Sequence, residues 1–306
     1  MDDRMVIAEL EPRAAELLDR HLSNAKEWFP HELVPWSLGR DFDKDYRWEA
    51  DELAPPPAVR SALFVNLLTE DNLPYYSMEI HDMFGVDGAW GEWARRWTAE
   101  EGRHSIVIRD WLTVTRSIDP VWLERGRMAQ VSGGIAPKPA SPVGGLAYVT
   151  LQELATRIAH HNTGKLLADR PGHEIMRRVA ADENLHYLFY RDMTTACLEI
   201  DPSATVIAIE AEVRDFAMPG VGITDFSAHA AAIAKAGIYD LSIHHDQILV
   251  PVVLRHWKVE DVVGLSDEAE QARDRLLTRI ERIGRAAARL RERQERTPGQ
   301  DALAPA

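Results

Sequence analysis

The sequence predicts an all-α protein, a four-helix bundle with additional flanking helices. Three observations carry that prediction. Apolar residues recur at intervals of three and four, as in Leu63, Val65, Leu67 and Leu68, or Trp93, Trp97, Ile108 and Leu112. Alternation of period two is nowhere sustained, which argues against strands. Proline and glycine gather in a few short breaks separated by helix-length intervals.

Pro55-Pro56-Pro57 precedes the first long helical stretch, and the break from Gly85 to Gly88 folds it back on the next. A second break at Pro171-Gly172 does the same later on, so hairpins are expected over about 58–118 and about 146–198. Between them lies a Gly- and Pro-rich segment at roughly 131–145, read either as an ordered crossover or as a mobile loop. Asp201-Pro202-Ser203 stops one helix and starts another, which opens a run of C-terminal helices over about 202–296. Met218-Pro219-Gly220 interrupts that run, and Ser266-Asp267-Glu268 begins a last helix reaching about Arg296. The tail 297–306 is expected to fray, and the whole of 1–306 is read as one domain.

Lys and Arg number 35 against 49 Asp and Glu, a formal charge of −14. That sign disfavours nucleic acid as a partner. The one cysteine, Cys197, sits in an apolar stretch and reads as a small buried hydrophobe. The acidic start lacks the pattern of a signal peptide, and no segment reaches the roughly 18 uncharged apolar residues of a membrane span. A cytoplasmic protein with no membrane span is expected.

Two Glu-x-x-His motifs stand out, Glu101 with His104 and Glu183 with His186. On a helix three residues advance about 300°, so each pair presents a carboxylate and an imidazole from one face. Either motif alone is weak. Each, however, has a second glutamate about thirty residues upstream, Glu70 in one case and Glu153 in the other. The midpoint of 70 and 101 falls in the Gly85–Gly88 break, and that of 153 and 183 falls beside Pro171-Gly172. In antiparallel hairpins, residues equidistant from the turn lie side by side. Each hairpin therefore sets a Glu level with a Glu-x-x-His pair, and two packed hairpins bring four Glu and two His together. This is the donor set of ferritin-like di-metal carboxylate bundles. Four buried carboxylates without a cation would repel and desolvate at large cost, whereas two divalent ions neutralise them. Oxygen and imidazole donors without thiolate favour Fe or Mn over a structural zinc.

With these residues in view, the chain resembles the soluble acyl-[acyl-carrier-protein] desaturases, including the mycobacterial type, from about residue 20 to about 290. The resemblance is carried by TEDNLPYY (69–76), WTAEEGRH (97–104), LQELATRIAHHNTGK (151–165), ADENLHYLFYRDM (181–193) and HWKVEDVVGLS (256–266), in that order. It implies metal ligands at Glu70, Glu101, His104, Glu153, Glu183 and His186, the six found by spacing. It also implies that Thr156, one turn after Glu153, faces the oxygen-binding side of the metals, with a bond to its own helix backbone as the plainer reading. Asp182 is expected to accept the spare ring N–H of a ligand histidine. Trp36 resembles a tryptophan that joins this aspartate in a path toward the surface. Trp97 reads as packing. Gly102 stands where the family's common Glu-Asn-Arg-His has Asn, and Glu79 and His81 stand where plant members carry apolar or small residues near the substrate.

The resemblance implies a di-iron enzyme, with Mn as a possible substitute, that introduces a cis double bond into a fatty acyl chain. It would use O2 and two electrons from a ferredoxin-type donor, since no dinucleotide fingerprint occurs. The implied partners are a carrier protein bearing a long acyl chain and a second copy of the chain in a homodimer. Another di-metal oxidase, a hydroxylase or N-oxygenase, and a non-catalytic metal- or carrier-binding relative stay open as alternatives. Because carrier proteins are acidic, a local basic patch is needed for docking. The arginine-rich last helix is the first candidate, followed by Arg95-Arg96 and Arg177-Arg178.

Overall fold

In the computed structural model, residues 3–50, 54–220 and 222–296 are described, and among them there are helices and no strands. The predicted frayed tail lies outside the described residues. The order begins with α1 (Asp3–Glu9), α2 (Glu11–Asn24) and the short α3 (Pro30–Leu33), followed by a tight turn at Trp36–Leu38. The next helices are α4 (Pro57–Glu70), α5 (Leu73–Phe84), α6 (Gly88–Thr115), α7 (Pro120–Gly133), α8 (Pro142–Lys165) and α9 (Arg170–Ile200). They are followed by α10 (Pro202–Asp215), α11 (Phe226–Lys235), the single turn α12 (Leu241–Ile243) and α13 (Asp267–Arg296).

Four of these helices start by the same local device, a side-chain cap followed by proline. Asp119 accepts from Val121 N at 2.9 Å, Ser141 from Gly144 N at 3.1 Å, Asp169 from Gly172 N at 2.7 Å and Asp201 from Ala204 N at 3.0 Å. In each case a proline occupies one of the first two helical positions, where its missing N–H has no partner to lose. These signals fix where α7, α8, α9 and α10 begin.

The bundle consists of α4–α5, α6, α8 and α9, with α8 and α9 the most extensively packed pair. Its first arm is broken. Glu70 is the last residue of α4, Asp71 and Asn72 leave the helix, and α5 restarts with Pro74 in its first turn. The buried Asn72 donates to Ile135 O at 2.8 Å, which ties the break to the crossover. That crossover is ordered and shorter than expected, because 131–133 close α7 and 142–145 open α8. Gly145 lies within α8, where an added Cβ would come 2.3 Å from Met83 Sδ, so the close approach of α5 and α8 requires glycine.

Helices α1 and α2 cover one side of the bundle, with α2 packed on both α6 and α9. On the other side, α10 packs against α8 and α13. Residues His244–His256 form a widened, π-type helix that contains Pro251, whose ring cannot join a regular helical ladder. Ala269, Ala272, Leu276 and Ile280 form the buried stripe of α13, and Arg282, Arg285 and Arg289 are exposed. Cys197 is fully buried in the core with Phe189, Tyr190 and Met193.

Candidate metal centre

The six residues singled out by spacing converge in the middle of the bundle. Glu70 comes from the end of α4, Glu101 and His104 from α6, Glu153 from α8, and Glu183 and His186 from α9. None is more than 8% exposed. Their donor atoms fall into two groups, each within a span of 4.8 Å: Glu70, Glu101, His104 and Glu183, and Glu101, Glu153, Glu183 and His186. Glu101 and Glu183 belong to both, so each would serve both ions.

Both histidines turn Nδ1 inward. His104 Nδ1 is 3.3 Å from Glu183 Oε1 and 3.6 Å from Glu70 Oε2. His186 Nδ1 is 2.8 Å from Glu101 Oε1 and 3.6 Å from Glu153 Oε2. Despite these distances, Glu101 Oε1, Glu153 Oε2, both Glu183 oxygens and both Nδ1 atoms are buried without a hydrogen bond. Buried polar atoms aimed at one another without hydrogen-bond geometry are costly unless a cation lies between them. The donor set fits two divalent ions.

Protonation shows the same strain. Burial, and then the charge of Glu183, push the Glu153 carboxyl well above its ordinary range. Burial also opposes ionisation of Glu183, but the close polar approach of Glu153, His104 and His186 outweighs it and holds this carboxyl well below. For His104 and His186 burial works against the charge, yet bonds to surrounding carboxylates, Asp182 and Glu100 foremost, raise both well above the usual imidazole range. Without metal, the cluster balances its charge by holding protons.

Each outward Nε2 has its own carboxylate. Asp182 Oδ2 lies 3.4 Å from His104 Nε2, and it also accepts from Trp28 Nε1 at 2.8 Å and Arg103 Nη2 at 2.7 Å. Trp36 does not take part, contrary to the sequence-based expectation. It is 50% exposed and donates to His31 O at 2.9 Å. Trp28 enters from the irregular stretch before α3, while Trp36 lies beyond α3 in an outer turn. The carboxylate facing His186 is Glu100, at 3.0 Å from Nε2, which the spacing argument passed over. His160 was also missed. Its Nε2 is 2.9 Å from Glu70 Oε1, and its position seven residues after Glu153, on the same helix face, was the available signal.

Trp97 does more than pack, since its indole donates to Glu153 Oε1 at 3.1 Å. Thr156 Oγ1 donates to Gln152 O at 3.0 Å and accepts from Gln152 Nε2 at 2.9 Å. Both Trp97 and Thr156 line a cavity of about 310 Å³ that reaches Glu70 and Glu101. Its walls are mainly apolar, and include Ile80, Met83, Val149, Phe226, Ile233 and Ile238.

A family model described as fatty acid desaturase matches residues 2–303. DesA1 of Mycobacterium tuberculosis, named as an acyl-[acyl-carrier-protein] desaturase, is 40% identical over 286 residues, covering 90% of this chain and 84% of that protein. The chain belongs to the fatty acid desaturase family. A chloroplastic stearoyl-[acyl-carrier-protein] 9-desaturase of Spinacia oleracea is 28% identical over 315 residues, covering 96% of this chain and 78% of that one. The X-ray structure of DesA2 from Mycobacterium tuberculosis, titled an acyl-ACP desaturase, superposes with a TM-score of 0.70 at 26% identity, covering 88% of this chain and 99% of the other. In this desaturase one further charged side chain lines the cavity beside Glu70 and Glu101. It is Glu79, whose carboxylate reaches Lys138 of the crossover at 3.7 Å. No helix among the described residues is long and apolar enough to cross a membrane.

Proposed function

We propose that this protein is an acyl-[acyl-carrier-protein] desaturase that converts a –CH2–CH2– unit of a long acyl chain to a cis alkene. The observation that carries the proposal is the mainly apolar cavity lined by two carboxylates of a buried four-glutamate, two-histidine cluster. Glu70, Glu101, His104, Glu153, Glu183 and His186 would hold two Fe(II) ions, or Mn in their place. The ions, when bound, supply the oxidising power that side-chain acids and bases lack for unactivated methylenes. The balance is one acyl chain, one O2, two electrons and two protons, giving one alkene and two waters.

The protein's own groups set the geometry. Asp182 and Glu100 accept at Nε2 and so keep Nδ1 of His104 and His186 directed inward. Apolar walls hold the chain beside the centre and exclude water from it. Thr156 offers a hydroxyl on the cavity side, held by Gln152, where it can pass a proton. Trp28, in place of Trp36, joins Asp182 and His104 in a route leading away from the metal centre. The electron donor is a ferredoxin-type protein and the working unit a homodimer. An acidic carrier protein docks on the exposed arginine face of α13, where Arg282 and Arg289 have no acidic partner among the described residues.

The test is reconstitution with Fe(II), ferredoxin, its reductase and a panel of acyl-carrier proteins, read by mass spectrometry. A mass loss of two hydrogens from the acyl chain is expected. A hydroxylated product, or no O2 consumption by the reduced protein with any acyl substrate, would overturn the assignment.

A further inference from the structure

After His104, His186 and His160, the cluster has a fourth buried histidine near it, and this one comes from outside the bundle. His21 of α2 is 4% exposed and points its Nε2 at Glu100 Oε2, 2.9 Å away. That same oxygen lies 3.0 Å from His186 Nε2. One carboxylate oxygen thus joins an imidazole facing the metal cluster to an imidazole that does not. The other oxygen, Oε1, accepts from Arg96 Nε at 2.7 Å, one turn earlier on α6. Glu100 is itself buried, and a buried carboxylate persists only when its oxygens are matched by donors.

The surroundings leave His21 little freedom. Its ring stacks on that of His186, with centroids 5.8 Å apart and planes 20° from parallel. The fully buried Trp93 stands edge-on to both, at 5.0 Å from His21 and 6.1 Å from His186. Phe189 in turn stacks on Trp93 at 3.6 Å. The ring can therefore keep Nε2 on Glu100 only while α2 is seated on α6 and α9.

We propose that His21 is a positioning residue for the His186 side of the metal centre, holding Glu100 so that it accepts from His186 Nε2 and directs Nδ1 at the metal. This rests on the di-metal reading above. His104 is served separately, through Asp182, Trp28 and Arg103, so the two sides are supported by different chain segments. Loss of His21 perturbs one ion and spares the other. Supporting partners of this kind typically change metal affinity by roughly 10- to 100-fold.

The experiment titrates Fe(II) into metal-free wild type and the variants His21→Phe, His21→Gln and Asp182→Asn, reading stoichiometry, the two affinities and the Mössbauer spectrum of the loaded centre. His21→Phe is expected to weaken one of two iron sites at least tenfold and to alter one of two quadrupole doublets. His21→Gln, whose amide N–H can still donate to Glu100, recovers most of the affinity. Asp182→Asn affects the other doublet. The effect of His21→Phe also vanishes in a Glu100→Gln background, because His21 acts through Glu100. Circular dichroism of each metal-free variant identifies any that fail to fold, and the Gln variants then decide the question alone. Wild-type affinities and an unchanged spectrum in His21→Phe, or a His21→Phe loss of equal size with and without Glu100, would overturn the proposal while leaving the metal centre intact. If wild type itself binds fewer than two irons, the di-metal reading falls and takes this inference with it.

Discussion

The indole N–H of Trp97 reaches Glu153 Oε1 at 3.1 Å, so the cavity wall and the metal cluster share a hydrogen bond. Trp97→Phe keeps the packing and removes the donor. A net hydrogen bond to a charged group is worth about 1.5–3 kcal/mol. Iron affinity is expected to fall by about tenfold or more, with little change in the stability of the metal-free protein. Calorimetric titration with Fe(II), alongside thermal melts without metal, checks this.

Glu101 and Glu183 are common to both donor groups, while Glu153 belongs to one. Glu101→Ala or Glu183→Ala should abolish binding of both ions and all desaturation. Glu153→Ala should leave a partial site with at most one tightly held iron and no turnover. Iron per chain after desalting separates these outcomes, and retained activity in either shared-ligand variant would remove the assignment.

The protons held by the metal-free cluster give opposite pH trends with and without iron. His104 and His186 have raised pKa values in the folded state. Their contribution to stability is fully present below the unfolded imidazole value of about 6.5 and is lost as pH rises through the folded values. Iron must displace those protons, so its affinity should increase with pH. Melts from pH 6 to 9 should show the metal-free protein weakening upward while the iron-induced gain in Tm grows.

Glu79 puts a third carboxylate, besides Glu70 and Glu101, in the mainly apolar wall of the cavity near Ile80 and Met83, and its partner Lys138 is exposed on the crossover. Methylenes packed against an ionised carboxylate strip it of water without replacing the lost hydrogen bonds. Glu79→Leu should extend activity toward longer acyl chains, with kcat/KM for the longest substrates rising several-fold. A chain-length series of acyl-carrier proteins reads this directly.

Gly102 has room for a side chain, since an added Cβ would meet Leu73 at an ordinary 3.7 Å. It lies within α6 with no demand for a left-handed backbone. Gly102→Ala should stabilise the protein by about 1 kcal/mol, a rise in Tm of about 2 °C. Thermal melts of the metal-free form check it.

The helical class and the convergence of six side chains were legible because both depend on short-range periodicity. A Glu-x-x-His pair occupies one helix face wherever the helix lies, and the turns after Phe84 and Lys165 sit close to the midpoints that pair 70 with 101 and 153 with 183. What was not legible depends on contacts between distant segments. Choosing Trp28 over Trp36 requires the path of an irregular stretch around α3. Glu100 looks like a solvent-facing neighbour of Glu101 until α2 is docked and His21 meets it from 79 residues away. The break after Glu70 was foreshadowed by Pro74, but its position follows from Asn72 finding Ile135 O across the fold.

That break gives the centre one compliant corner. Five of the six convergent residues sit inside α6, α8 and α9, where moving the backbone means unwinding a helix. Glu70 is the exception, joined to α5 through only Asp71 and Asn72. Helix α5 also lines the cavity with Tyr76, Ile80 and Met83. An acyl chain that presses on this wall therefore has a two-residue lever to a single carboxylate. Cavity occupancy can be felt at Glu70 while the other five hold still.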